Sequence, residues 1–128
     1  MPRNVKVGLI QAATPYEQGW SIEKTQKAAM DVHVPLIEEA GKQGVQILGL
    51  QEIFNGPYFC PSQDKFWYDA TESVPGPTTE VMQAYAKKYE MAMVVPVYER
   101  EQAGVYYNTA AVIDADGSYL GKYRKHHI

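Results

Sequence analysis

The chain has 128 residues, 45% hydrophobic and 21% charged, which suits one soluble globular domain with a real core and leaves no room for a second. A formal net charge of -3 and a pI near 5.6 give no electrostatic case for nucleic acid or an anionic membrane, so small molecules or protein partners are expected instead. A single cysteine, Cys60, excludes an internal disulfide framework and any multi-cysteine metal site, and favours a reducing compartment.

Met1-Pro2-Arg3 leads almost directly into Val5-Lys6-Val7-Gly8-Leu9-Ile10, a start too short and too interrupted for a signal peptide. No later apolar run is long enough to span a bilayer, and a cytoplasmic protein is expected. Residues 5–11 alternate and then run apolar, predicting a first strand internal to a sheet. A turn follows at Thr14-Pro15-Tyr16-Glu17-Gln18-Gly19. Ser21 is the expected N-cap of a helix towards Lys42, with Thr25, Ala29, Val32, Leu36 and Ala40 at helical spacing and Gly41 or Gly44 closing it. Pro35 removes a backbone donor inside that helix and should kink or split it. His33 beside it is expected at the surface or half-buried.

Residues 45–54 form an apolar, partly β-branched run that reads as a strand buried on both faces, with Glu52 where strand gives way to loop. Strand, helix and strand make a βαβ unit, whose right-handed crossover sets the two strands parallel. Residues 55–77 are rich in Pro, Gly and aromatic residues; a loop this long either lines a functional surface or covers a satellite hydrophobic cluster. Thr78 or Thr79 opens a second helix to about Tyr89, with Val81, Met82, Tyr85 and Ala86 on one stripe. Residues 91–98 and 106–113 predict two more strands, and Asp114-Ala115-Asp116-Gly117 is a turn of the kind that joins antiparallel neighbours, with the return strand over 118–123. The expected fold is α/β: a mixed sheet covered by helices.

Open α/β sheets place their ligands at the carboxyl ends of strands, where Glu52 stands. A carboxylate there costs several kcal/mol to desolvate unless a cation or hydrogen-bond donors accompany it. No glycine-rich phosphate cradle follows the first strand, where Gln11-Ala12-Ala13-Thr14-Pro15 stands instead, and Gly41-Lys42-Gln43-Gly44 lies at the wrong end of a helix. The remaining charged cluster is Lys122-Tyr123-Arg124-Lys125-His126-His127. It reads as a solvated tail, as a weak nucleic-acid patch lacking a wider basic field, or as a catalytic strand end. Alternation over 119–128 would put Tyr123, Lys125 and His127 on one face and Arg124 and His126 on the other. Lys125 is thereby the candidate partner of Glu52, each holding the other charged.

Leu50-Gln51-Glu52-Ile53-Phe54, Tyr107-Asn108-Thr109-Ala110, Asp114-Ala115-Asp116-Gly117 and Gly121-Lys122-Tyr123-Arg124-Lys125-His126-His127-Ile128 together resemble the carbon-nitrogen hydrolases of the nitrilase superfamily. Gln51, where many relatives carry proline, draws the resemblance towards the branch acting on N-carbamoyl compounds, the β-ureidopropionases and N-carbamoylputrescine amidases. The resemblance implies that residues 1–128 are the N-terminal part of a single hydrolase domain, the first half of an α-β-β-α sandwich. It further implies Glu52 as general base and Lys125 as the second catalytic residue, with Phe54, Tyr58 and His127 as substrate contacts. A small-molecule N-carbamoyl substrate, no metal or other cofactor, no nucleic-acid or membrane partner and a homo-oligomer are expected on the same ground. The family's nucleophilic cysteine lies on a later strand, beyond Ile128, and Cys60 is read as a structural thiol near the pocket. Two alternatives stand beside this reading: a naturally short, non-catalytic module of the same fold that serves in assembly, and an amidase or nitrilase with another acyl substrate.

Overall fold

A computed structural model describes residues 3–128; Met1 and Pro2, where the stretch judged too short for a leader begins, lie outside the described residues. In chain order the elements are β1 (Val7–Ile10), α1 (Ile22–Lys42), β2 (Ile47–Leu50), α2 (Pro77–Tyr89), β3 (Ala92–Gln102), β4 (Val105–Ile113) and β5 (Tyr119–Arg124). Two 3-10 turns, Cys60–Ser62 and Lys65–Ala70, break up the long loop. The sheet order is β1-β2-β3-β4-β5, parallel from β1 to β3 and antiparallel from β3 to β5. The fold is thus the mixed α/β sheet expected; within the described residues β1 lies at the edge of the sheet, which corrects its reading as an internal strand.

Ser21 caps α1 as its sequence predicts, its hydroxyl accepting from the Lys24 amide. Pro35 does not split α1, which runs unbroken from Ile22 to Lys42. It and Asp31, whose carbonyl loses a donor, both lie on the exposed side, where water can take the place of the missing bond. The buried stripe is Thr25, Ala29, His33 and Ile37, a strict four-residue repeat, while Leu36 is left exposed. His33 is accordingly a core residue, contrary to its expected place at the surface. Its Nδ1 donates to the Ala29 carbonyl at 2.8 Å, and its ring meets Phe54 edge-on at 5.1 Å between centroids.

Both helices cover the same face of the sheet. Ile37 from α1 and Met82 and Ala86 from α2 close over Leu48, Leu50, Met93, Val95, Val97, Ala111 and Ile113, all buried in one cluster. On the other face, Val7 and Leu9 are 60% and 86% exposed, and Ile47 and Tyr123 also face outward. Within the described residues β2 is therefore buried on one face only, where the sequence reading had both faces covered. One helical layer on one mixed sheet is half of the expected sandwich.

The helix-covered side of β3, β4 and β5 carries a charge cluster. Glu99, 1% exposed, receives two bonds from Arg124 (Nε 3.0 Å, Nη2 2.8 Å), one from Thr109 Oγ1 at 2.5 Å and one from Lys122 Nζ. Burial pushes its carboxyl up, but the bonds from Arg124, Lys122 and Thr109 outweigh that and hold it at about 2. A carboxyl depressed on folding contributes stability that is complete above its unfolded value of roughly 4.3 and is lost as pH falls towards the folded one. We expect Glu99 to contribute about 3 kcal/mol at neutral pH, lost between about pH 5 and pH 2. Urea unfolding of the parent and of Glu99→Gln should show a stability gap at pH 7 that narrows steadily on acidification; a pH-independent gap would contradict the assignment.

Candidate active site

Four residues after β2 set up the site. Gln51 continues the β1–β2 pairing with its side chain, accepting from the Ala12 amide at 2.5 Å and donating to the Ala12 carbonyl at 2.8 Å. Ile53 then adopts φ 47°, a left-handed conformation that costs a β-branched residue on the order of 1–3 kcal/mol. Burial of Ile53 and Phe54 on the helix side offsets that strain. Glu52 is left facing the bare side of the sheet, where it meets two groups from the far end of the chain.

Asn108 of β4 donates Nδ2 to Glu52 Oε1 at 2.5 Å, and Lys125 donates Nζ to the same oxygen at 2.6 Å. Lys125 is placed by the last rung beyond β5, its amide donating to the Asn108 carbonyl at 2.8 Å, so one residue of β4 orients both partners. The hydrogen bond from Lys125 lowers the Glu52 pKa, burial opposes it, and Asn108 adds to the lowering. Lys125 is raised in turn, chiefly by its bond to Glu52. Both side chains are nearly half exposed, 46% for Lys125 and 42% for Glu52, so the pair contributes little to stability through water. Its effect is to keep a carboxylate and an ammonium charged side by side. Lys125 retains two further N–H donors, and Glu52 a second oxygen, for a third party.

Tyr58 lies within electrostatic reach of this pair. Its hydroxyl is pushed above the usual phenol range first by the Cys60 thiol, then by slight burial and by the Glu52 charge, with Lys125 acting in the opposite sense. The same tyrosine lines a cavity of about 640 Å³ whose aromatic walls include Tyr16, Trp20, Phe59, Phe66 and Trp67. Glu52 and Lys125 are not part of that wall; Tyr58 is common to both places. Among the described residues no group of three or more His, Cys, Asp or Glu side chains could hold a metal ion.

Residues 6–128 match the family model described as carbon-nitrogen hydrolase. The chain belongs to that family. This carbon-nitrogen hydrolase chain is 37% identical over 129 residues to the β-ureidopropionase of Arabidopsis thaliana, covering 99% of itself and 32% of that protein. It is 43% identical over 95 residues to the N-carbamoylputrescine amidase of Solanum lycopersicum, covering 73% of itself and 31% of that protein. It therefore spans about a third of the length of these relatives. The crystal structure of a carbon-nitrogen hydrolase from Helicobacter pylori G27 superimposes with a TM-score of 0.81 at 29% identity, over 97% of this chain and 40% of that one.

Within this carbon-nitrogen hydrolase fold, the residues singled out from sequence are not all neighbours. Glu52 and Lys125 come together, and Tyr58 stands close enough to feel both charges without bonding to either. Phe54 does not join them: it is fully buried in the core against His33 and has no surface to offer a substrate. The alternation that put His127 on the face of Lys125 stops at Arg124, where β5 ends. His127 takes φ 56°, and it is His126 whose ring meets Tyr123, at 5.6 Å. Cys60 is exposed, at the start of a 3-10 turn. Asn108 had no assigned role, although an asparagine in the middle of an apolar strand is a polar signal where the backbone disfavours it.

Proposed function

We propose that this chain is the N-terminal part of an amidohydrolase of linear N-carbamoyl compounds, with Glu52 as general acid–base and Lys125 as oxyanion donor. The observation that carries the reading is the convergence of Lys125 Nζ and Asn108 Nδ2 on one oxygen of Glu52, on the bare face of the sheet. The names of the two curated relatives support the substrate class, and their greater length supports a nucleophile outside these residues. That nucleophile is a cysteine on a strand that follows Ile128, and the 128-residue chain by itself is inactive.

In the proposed reaction the thiol proton passes to Glu52 as sulfur attacks the carbamoyl carbon. Lys125, with its two remaining N–H donors, takes the developing oxyanion. Glu52 then gives the proton to the departing amine nitrogen, since an amine is expelled readily only when protonated. Water enters the vacated place, Glu52 takes its proton, and hydroxide attack releases the thiol and a carbamic acid that breaks down to carbon dioxide and ammonia. Glu52 must begin each half as a carboxylate, and its lowered pKa supplies that form at neutral pH. The substrate is a small molecule; a homo-oligomer in the cytoplasm, without nucleic-acid or membrane partners or a cofactor, completes the proposal.

Ammonia release by the intact enzyme from N-carbamoyl-β-alanine, N-carbamoylputrescine and a simple ω-amide tests the substrate class. Turnover of at least one carbamoyl compound at a kcat/KM ten or more times that of the ω-amide is expected, a margin of about 1.4 kcal/mol. Preference for the ω-amide would overturn the carbamoyl assignment and leave the acid–base pair standing.

A further inference from the structure

The Glu99 cluster lies on the opposite side of the sheet from Glu52, yet it is built on the residues that flank Lys125. In the β4–β5 ladder Lys122 stands across from Ala111 and Arg124 from Thr109, the face on which Glu99 is buried. Tyr123, across from Ala110, takes the other face, and so does Lys125, whose ammonium reaches Glu52. A slip of one residue in strand pairing would exchange these faces and withdraw Lys125 from Glu52.

The turn does not secure this register by itself. Pairing shifts between Val112 and Ile113, so an irregularity separates the Asp114–Gly117 reversal from the residues that matter. The basic residues are also interchangeable in charge, since Lys122, Arg124 and Lys125 all carry a cation. What distinguishes the observed register is that Glu99 takes two cations two residues apart. After a one-residue slip the pair offered to Glu99 would be Tyr123 with Lys125, or Gly121 with Tyr123, and at most one cation would remain. Arg124 binds both carboxylate oxygens, Lys122 adds a second anchor on the Val74 carbonyl at 3.0 Å, and the Arg124 guanidinium lies 3.8 Å over the Tyr107 ring.

We propose that Glu99 is a positioning residue for the reaction: by drawing Lys122 and Arg124 to the helix-covered face, it fixes the register that delivers Lys125 to Glu52. This rests on the assignment of Glu52 and Lys125 as reacting groups.

The test is Glu99→Gln in the intact enzyme, which keeps the shape of the side chain and removes its charge. The expected result is a kcat about 10-fold lower or less still, with KM changed by no more than about twofold, because the loss is one of alignment. The acid limb of the pH–kcat profile should move upward, since Glu52 would lose part of the ammonium that lowers it, and Glu99→Asp should restore part of the rate. Parental kcat per folded molecule with an unmoved acid limb would overturn the proposal, whatever Glu99→Gln does to the melting temperature. Arg124→Gln, at a side chain 27% exposed, carries the same readout if Glu99→Gln fails to fold, and an unmoved limb there is equally fatal. Full activity in Glu52→Gln would instead remove the assignment beneath the proposal; an inactive Glu52→Gln beside a parental Glu99→Gln removes this inference alone.

Discussion

Glu52→Gln in the intact enzyme is expected to lower kcat by about 10³–10⁴-fold while leaving the circular dichroism spectrum unchanged. The substitution is nearly isosteric. Its amide oxygen can still accept from Asn108 and Lys125, which now donate to the carboxylate at 2.5 and 2.6 Å, so the local fold should survive. The capacity to take and return a proton does not survive. The expected loss stands at the upper end for general acid–base catalysis because the same group serves both half-reactions. In the parent, the acid limb belonging to Glu52 should fall below the ordinary glutamate value of about 4.3, because the bond from Lys125 outweighs burial. Turnover within tenfold of the parent would refute the role.

Lys125→Met is the second large effect: kcat should fall by about 10²–10³-fold, the usual loss when one oxyanion donor is removed. It should also move the acid limb of the pH profile upward, because the largest influence lowering Glu52 is gone while the opposing influence of burial stays. These two effects separate the roles. A residue that merely supported the fold would alter the amount of folded enzyme and leave the limb where it was. Lys125→Arg should not restore the rate, since a planar guanidinium cannot place a compact charge at 2.6 Å from Glu52 and a second donor on the substrate. A steady-state pH series on the three proteins decides the matter, and an unmoved acid limb in Lys125→Met would contradict the pairing.

The legible part of the molecule was the part governed by local rules. Ser21 announced α1 because a capping hydroxyl works on the amides of the next turn, and the Asp114–Gly117 reversal announced the last hairpin through residues that tolerate turn backbones. Glu52 stood out because a carboxylate at the end of an apolar strand needs a partner, and Lys125 because strand alternation left it free to supply one. The places where sequence misled depend on partners distant along the chain. Phe54 reads as a pocket residue by its closeness to Glu52, but the left-handed turn at Ile53 swings it into the core, and nothing in a β-branched residue advertises that conformation. His33 is polar and adjacent to a proline, both surface signals; its place is set by Phe54, 21 residues on, and by a carbonyl one turn behind it. β1 looked internal because its residues are apolar, but apolar side chains report on what covers a face and not on whether a strand pairs at each flank, and within the described residues β1 pairs with β2 alone. Glu99 gave no sign at all, since its neighbours lie 10, 23 and 25 residues away.

The most direct measurement is a crystal structure of the intact enzyme, its nucleophile replaced, with an N-carbamoyl compound bound. The carbamoyl group should lie against Glu52 and Lys125 together, the carboxylate within about 3.2 Å of the scissile nitrogen or the attacking atom and the ammonium equally close to the oxygen. A carbamoyl group seated among the rings of the Tyr16–Trp67 cavity, touching neither side chain, would contradict it.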